Sequence, residues 1–488
     1  MKIKFAYLLL CGFSALNALA KDVIIKGKIN GKVPETLYYT APINGVLGFD
    51  LCYTAPVDAK GNFEIKADID GVSFIDIFYN YQPAGYLVVT PGGKYDIIIT
   101  EAQGKVTHKI TGGGAQLQSL YAKLINNNKE DSFFSLAADA SKIEDPTVFK
   151  SYFEKKSKAD LDMIASHFNN KSINQGLMTA LSQDREYFYA SVTSYAILLK
   201  YLNALDETST SNPEPFNSIW ADIYSKDAPG ITKSSWCTYY LQGYKNYKAF
   251  QFAGFNAKNV ANAPDALSGL KHNISLLPKQ YIEHFIAIEL YSYTAGNRKE
   301  KGAITIFNYL KQQYPNSGYI KYFEPKVAAV AAFFSASESL PQGAAFVDDY
   351  AKVNTFEELV KKFPGKKLYF DVWATWCGPC REEFKYKDAL YKLLKANDIT
   401  IIYISVDKDD KDETWKKMIG HYNLQGFHVR TSQTFSTNLA TLFHNGNKND
   451  GGLLIPWYIL VNADGTTAAL HAAPPSELSK LEADIKKM

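Results

Sequence analysis

The spacing of apolar residues changes character twice along this chain. From residue 21 to about 110 it has the period of a β-strand: Phe63, Ile65, Ala67 and Ile69 alternate with Glu64, Lys66 and Asp68 behind the turn Asp58-Ala59-Lys60-Gly61. Val23 to Ile29 and the aromatic, β-branched run Ser73 to Tyr81 read as further strands. Tyr86 to Thr90 and Tyr95 to Thr100 flank Pro91-Gly92-Gly93-Lys94, which predicts a hairpin. Five or more short strands imply a small β-sandwich or barrel. Beyond Gly112-Gly113-Gly114, read as a hinge because no phosphate-loop context surrounds it, the period becomes helical. Leu117, Leu120, Tyr121 and Leu124 share a helix face, and Ile173 to Leu205, Trp236 to Phe252 and Tyr281 to Tyr293 carry apolar stripes. Pro213, Pro215, Pro264 and Pro278 fall between the stripes. Ala303 to Ser317 has the look of one tetratricopeptide-type helix and exit turn, but a single copy predicts an irregular bundle.

A polar stretch, 341 to 355, reads as a linker. After it the pattern becomes βαβ, with strands at Lys367–Val372, Ile399–Val406, Tyr458–Val461 and Thr467–His471. The helices expected with them are Cys380–Ala396, Trp415–His421 and Ser476–Met488. The fold class is therefore multidomain: a small all-β domain (21–111), a central α-helical domain (112–342) and a C-terminal α/β domain (343–488).

Composition adds two exclusions and one location. With 53 Lys and Arg against 50 Asp and Glu, and no long basic run, nothing points to nucleic acid. Downstream of the leader, no segment has the unbroken apolar length of a membrane span. At the start, Lys2 and Lys4, the apolar stretch Phe5–Leu16 and Ala18-Leu19-Ala20 have the form of a signal peptide cleaved after Ala20. Cys11 follows Leu10, where a lipid-attachment signal wants a small residue, so lipid anchoring is not the expectation. The mature chain is expected in the periplasm. Of the five cysteines, Cys52 and Cys237 read as buried thiols or a bridge, and Cys377 and Cys380 form a C-x-x-C.

Trp376-Cys377-Gly378-Pro379-Cys380 directly follows a predicted strand and opens a predicted helix. Unpaired N–H groups and the helix dipole favour a thiolate on the first cysteine, so Cys377 is the candidate nucleophile. Cys380, one turn in, is the candidate resolving thiol. Half of a zinc site is the competing reading, but His421, His428, His444 and His471 lack ligand-pair spacing, so no metal is expected.

The run Tyr369 to Cys380 resembles the active-site stretch of the thioredoxin superfamily, and Arg381-Glu382-Glu383-Phe384 is similar to its exported TlpA/ResA branch. The resemblance covers about 345 to 488 and implies a thioredoxin fold. By position it makes Asp371 the buried acid that takes the resolving thiol's proton, and Glu383 the second acid near the thiols. It makes Pro456 the cis-proline beside the cysteines and Ile455 the residue that offers backbone to a substrate chain. Trp376, Gly378 and Pro379 complete the implied substrate surface. The stretch from Asp407 to Gly452 is longer than in a minimal thioredoxin, and Asn445 to Gly452 is expected to loop near the site. The order of the leading domains resembles exported proteins of Bacteroidota.

The resemblance implies a protein-disulfide reductase with no cofactor beyond the redox-active Cys377–Cys380 disulfide. Its implied partners are exported disulfide- or thiol-containing proteins and a membrane electron donor of the DsbD or CcdA type. A disulfide oxidase or isomerase, or a scaffold with an accessory redox domain, are the alternatives.

Overall fold

The computed structural model describes residues 22–48, 52–80, 82–111, 114–126, 129–205, 212–256, 258, 260, 265–336, 339–444 and 452–488. The expected signal segment, Cys11 and all of the expected 445–452 loop except Gly452 lie outside these residues.

The chain divides into two compact units, one spanning residues up to 264 with 268–288, the other 265–267 with 289–488. The division falls inside the helical region, whereas the sequence places a boundary at 342/343.

The first unit opens with eight strands: β1 (Val23–Asn30), β2 (Thr36–Thr40), β3 (Cys52–Pro56), β4 (Asn62–Ala67), β5 (Ser73–Tyr79), β6 (Gln82–Val89), β7 (Lys94–Ala102) and β8 (Lys105–Thr111). They form two four-stranded sheets, ordered β4-β1-β7-β8 and β3-β2-β5-β6. Ile25, Phe63, Ile65 and Ile97 from one sheet and Leu37, Ile75, Ile77 and Leu87 from the other close a shared core. The expected hairpin across Pro91–Lys94 does not form, because β6 and β7 belong to different sheets. The turn is tight, with Gly93 N–H on Thr90 O at 2.9 Å, but β7 departs to pair in parallel with β1.

Helices follow: α1 (Ala115–Leu124), α2 (Lys129–Ser141), α3 (Pro146–Asn169), α4 (Gln175–Asn203), α5 (Asn217–Tyr224) and α6 (Cys237–Phe252). Leu117, Leu120 and Tyr121 of α1 and Leu177 and Leu181 of α4 cover Phe74, Tyr86 and Val88 on the outer face of the second sheet. That second cover explains why β5 is buried on both faces. Gln118 receives Val88 N–H (3.1 Å) and donates to Val88 O (2.7 Å), satisfying backbone on the sheet edge. Cys237 is a free, fully buried thiol pushed up by burial, so the bridge to Cys52 that the sequence leaves open is not formed.

Along the chain, the division between the units falls within α7 (Ala266–Ser275) and α8 (Ile282–Thr294). The second unit adds the helical pair α9 (Gly302–Gln313) and α10 (Gly318–Ser335). There follow β9 (Ala344–Phe346), α11 (Phe356–Lys361), β10 (Lys367–Trp373), α12 (Gly378–Glu383), α13 (Lys387–Ala396), β11 (Ile399–Ser405) and α14 (Asp412–His421). The chain ends with β12 (Gly426–Arg430), α15 (Gln433–Phe443), β13 (Trp457–Val461), β14 (Thr467–Ala469) and α16 (Leu478–Ile485).

Six strands form one mixed sheet ordered β14-β13-β10-β11-β12-β9, with β10 and β11 parallel and β13 antiparallel to β10. The 341–355 linker is in part structural, since β9 pairs in parallel with β12 at the sheet edge. The helix expected over 380–396 is broken by a turn at Phe384–Tyr386. Both faces of the sheet are covered. Phe333 of α10 joins Trp373, Cys377, Cys380 and Phe384 in one core, while Phe370, Val372 and Ile404 face Phe356 and Phe435 in the other. Among the described residues, no helix is long and apolar enough to cross a membrane.

Candidate active site

Strand β10 is apolar and buried along nearly its whole length, which sets the cysteine loop at the centre of the sheet. Its end is held by Val406 N–H on Trp373 O at 2.9 Å. The next turn is fixed by Asp407, whose carboxylate accepts from Thr375 N–H (2.8 Å), Thr375 Oγ1 (2.7 Å) and Ser405 Oγ (2.7 Å). Burial pushes Asp407 up, and the Thr375 and Ser405 hydrogen bonds pull it back.

Cys377 is the N-cap of α12, in extended conformation, with Pro379 in the first turn where a missing N–H costs nothing. Its Sγ accepts from Cys380 N–H at 3.1 Å. The two cysteines are joined, with Cα atoms 5.3 Å apart. Cys377 is 4% exposed and Cys380 1%, whereas neighbouring Trp376 is 46% exposed and Leu454 69%. The Ile455–Pro456 peptide is cis, and Ile455 O lies 3.8 Å from Cys377 Sγ. The structure thus brings Trp376, Cys377, Gly378, Pro379, Cys380, Ile455 and Pro456 together.

Asp371 lies on β10 in register with Tyr403 of β11 and Tyr458 of β13. It is 2% exposed, so it is not a solvated strand-end acid, and among the described residues its Oδ1 has no hydrogen-bond partner. Burial holds its pKa well above the ordinary carboxylate range, with the Glu383 charge adding to the effect. The Tyr369 and Tyr458 hydroxyls are likewise buried and without partners among the described residues, and their rings stack at 5.9 Å. Tyr403 OH pairs with Tyr391 OH at 2.9 Å. Glu383, by contrast, is engaged: it accepts from Ser476 N–H (2.9 Å) and Ser476 Oγ (2.8 Å), tying α12 to the turn before α16. Of the four C-terminal histidines, His428 is buried beside Tyr403 and pushed down to about 4 by burial. Among the described residues, no group of three or more His, Cys, Asp or Glu side chains is placed to hold a metal.

Sequence reading missed Asp407, Thr375 and Arg381. The available signal for Asp407 was only its place as the first acid after the largely apolar stretch Ile399–Val406, at the head of a charged run.

The Redoxin family model matches residues 343–485, the segment that carries all of this geometry. Residues 343–485 are thus similar to the Redoxin family and to thiol-disulfide oxidoreductases named ResA. The thiol-disulfide oxidoreductase ResA of Bacillus thuringiensis is 35% identical over 66 residues, which is 14% of this chain and 37% of the relative. Thioredoxin-1 of Caenorhabditis elegans is 39% identical over 62 residues, 13% of this chain and 50% of that protein. The chain therefore spans half or less of these relatives' length. Among solved structures, the thioredoxin domain of a thiol-disulfide oxidoreductase from Bacteroides vulgatus is 24% identical, covering 26% of this chain and 81% of its own at a TM-score of 0.20. A thioredoxin-like protein from Bacteroides caccae is 14% identical, covering 62% of this chain and 93% of its own at a TM-score of 0.19.

Proposed function

We propose that this chain is a periplasmic thiol–disulfide oxidoreductase that reduces disulfides of exported proteins. The observation that carries the reading is the cysteine pair at the start of α12, with Cys377 Sγ held by Cys380 N–H and the uncharged-favouring pocket of Asp371 in the strand beneath.

In the reduced protein, the Cys377 thiolate attacks one sulfur of a partner disulfide. The Cys377–partner bond forms, the partner's S–S bond breaks, and the departing sulfur takes a proton. Asp371 in its carboxylate form then takes the Cys380 proton, and Cys380 attacks Cys377. The internal disulfide forms and the second partner sulfur leaves as a thiolate that is protonated. Two electrons pass from the dithiol to the partner. Glu383 supports the buried acid by its charge while its oxygens stay on Ser476. Trp376, Leu454 and the Ile455 backbone supply the docking surface, with Gly378 and Pro379 shaping the approach to Cys377. No cofactor enters this scheme. The direction rests on the Gly378-Pro379 dipeptide, which resembles reducing thioredoxins. A reductant working outside the cytoplasm needs a membrane donor of the DsbD or CcdA type.

Cys380→Ser tests the exchange. It should accumulate mixed disulfides on Cys377 with several exported proteins, and Cys377→Ser should accumulate none. A Cys380→Ser chain that traps nothing while remaining folded contradicts the reading.

A further inference from the structure

Arg381 follows the second cysteine, and its placement is unusual for an arginine on a short surface-facing helix. The residue is 5% exposed. Its Nη1 donates to Thr375 O at 2.5 Å, two residues before Cys377, and its Nη2 donates to Gly296 O. A Cβ built on Gly378 would stand 4.0 Å from the same Nη2. The guanidinium therefore underlies the turn 375–378 that presents Cys377. Gly296 precedes α9 in a strap, residues 295–301, with a left-handed backbone (φ +57). The strap is bonded to the redox region twice more. Lys411 donates to Glu300 at 2.6 Å and Lys301 to Glu413 at 2.5 Å.

Among the described residues Arg381 makes no ion pair; both its partners are carbonyl oxygens. Burying a cation against dipoles alone is costly. A guanidinium stays charged under nearly all conditions, so it does not escape by losing its proton. Burial opposes its charge and Arg298 carries like charge, while Glu382 and Glu300 favour it from side chains that are themselves paired with lysines. Glu300 is held by Lys411, Glu382 by Lys385, and Asp407 by Thr375 and Ser405. Glu383 is held by Ser476, Tyr422 is a neutral phenol raised by burial, and Arg298 and Lys299 on the strap carry like charge. Asp371 lies on the strand with its pKa raised. A thiolate formed at Cys377 on reduction would add an anion on the turn that this guanidinium underlies.

We infer that Arg381, clasped between Thr375 O and Gly296 O, is a positioning residue that stabilises the Cys377 thiolate, and that the strap 295–301 is part of the redox site because it holds the guanidinium there. The inference rests on the dithiol chemistry proposed above. It assigns the helical segment before α9 a role in that chemistry: the segment supplies one of the two carbonyls that aim the charge. The first exchange step is unchanged in its balance. The thiolate still loses its charge into the Cys377–partner bond as the partner sulfur gains it, and Arg381 shifts only the fraction of Cys377 ready to attack.

The test is peptide-resolved iodoacetamide alkylation of Cys377 against pH in the full-length reduced chain. Arg381→Gln should raise the apparent pKa of Cys377 by about one unit, a roughly tenfold loss of thiolate on the acid side. Arg381→Lys keeps the charge and should stay close to the parent. An Arg381→Gln profile that superimposes on the parent overturns the inference, as does an Arg381→Lys profile displaced as far as Arg381→Gln. Should Arg381→Gln not fold, Gly296→Val serves. A β-branched residue is strained at φ +57, so the carbonyl moves, and the profile should shift the same way by less. An unmoved Gly296→Val profile overturns the role of the strap. Alkylation needs no disulfide substrate, so failure of the parent to exchange thiols would strike the proposed function and leave this readout standing.

Discussion

Asp371 is the residue where burial and chemistry are most tightly linked. An acid with a raised pKa binds its proton more tightly folded than unfolded. Its favourable contribution is complete below the unfolded value near 4 and is lost as pH rises through the folded value. Asp371→Asn should therefore leave stability little changed near pH 4. At pH 8 it should exceed the parent by more than about 1 kcal/mol, read from urea midpoints. The same variant should slow release of the mixed disulfide by a factor of about 100 or more, because the resolving thiol loses its proton acceptor. Equal urea midpoints across the whole pH range would mean that Asp371 is not desolvated as described. At this scale the sequence was most legible for Cys377, Cys380, Asp371 and Pro456, because their spacing from the motif is local or carried by the family pattern. Glu383 was legible as a position but not as a partner, since Ser476 lies 93 residues away.

Among elements, the apolar strands β10, β11 and β13 stood out because both their faces are buried. β9, at three residues, and β12, at five with a half-exposed start, have too little pattern to separate from loop. The pairing of β6 and β7 was misread for a related reason: a Pro-Gly-Gly turn reverses the chain but does not say which sheet receives the second strand. The loop between β10 and α12 is tied across 32 residues by Asp407 with Thr375. Asp407→Ala leaves Thr375 N–H, Thr375 Oγ1 and Ser405 Oγ without their acceptor. It should cost about 2–3 kcal/mol in urea unfolding. A change below about 0.5 kcal/mol would show that the loop is held by other contacts.

At the scale of the whole molecule, the helical and redox parts are not separated where composition changes. Phe333 of α10 is 6% exposed within the core that contains Trp373 and both redox cysteines. Phe333→Ala should cost about 3–4 kcal/mol in the second unit's unfolding, followed by tryptophan fluorescence. A fragment of residues 289–488 should likewise resist urea better than one of residues 343–488. Equal midpoints for the two fragments would mean that α9 and α10 add nothing to the redox core. The sequence showed the change from helical to βαβ rhythm clearly, but periodicity reports each element's face and not which neighbour covers it.

The central claim is that Cys377 and Cys380 form an electron-donating pair. Equilibrium titration of the full-length chain against a thiol buffer measures it most directly. The account predicts a reduction potential near thioredoxin's, about −270 mV. A potential of about −120 to −180 mV, the range of disulfide donors and isomerases, would contradict it.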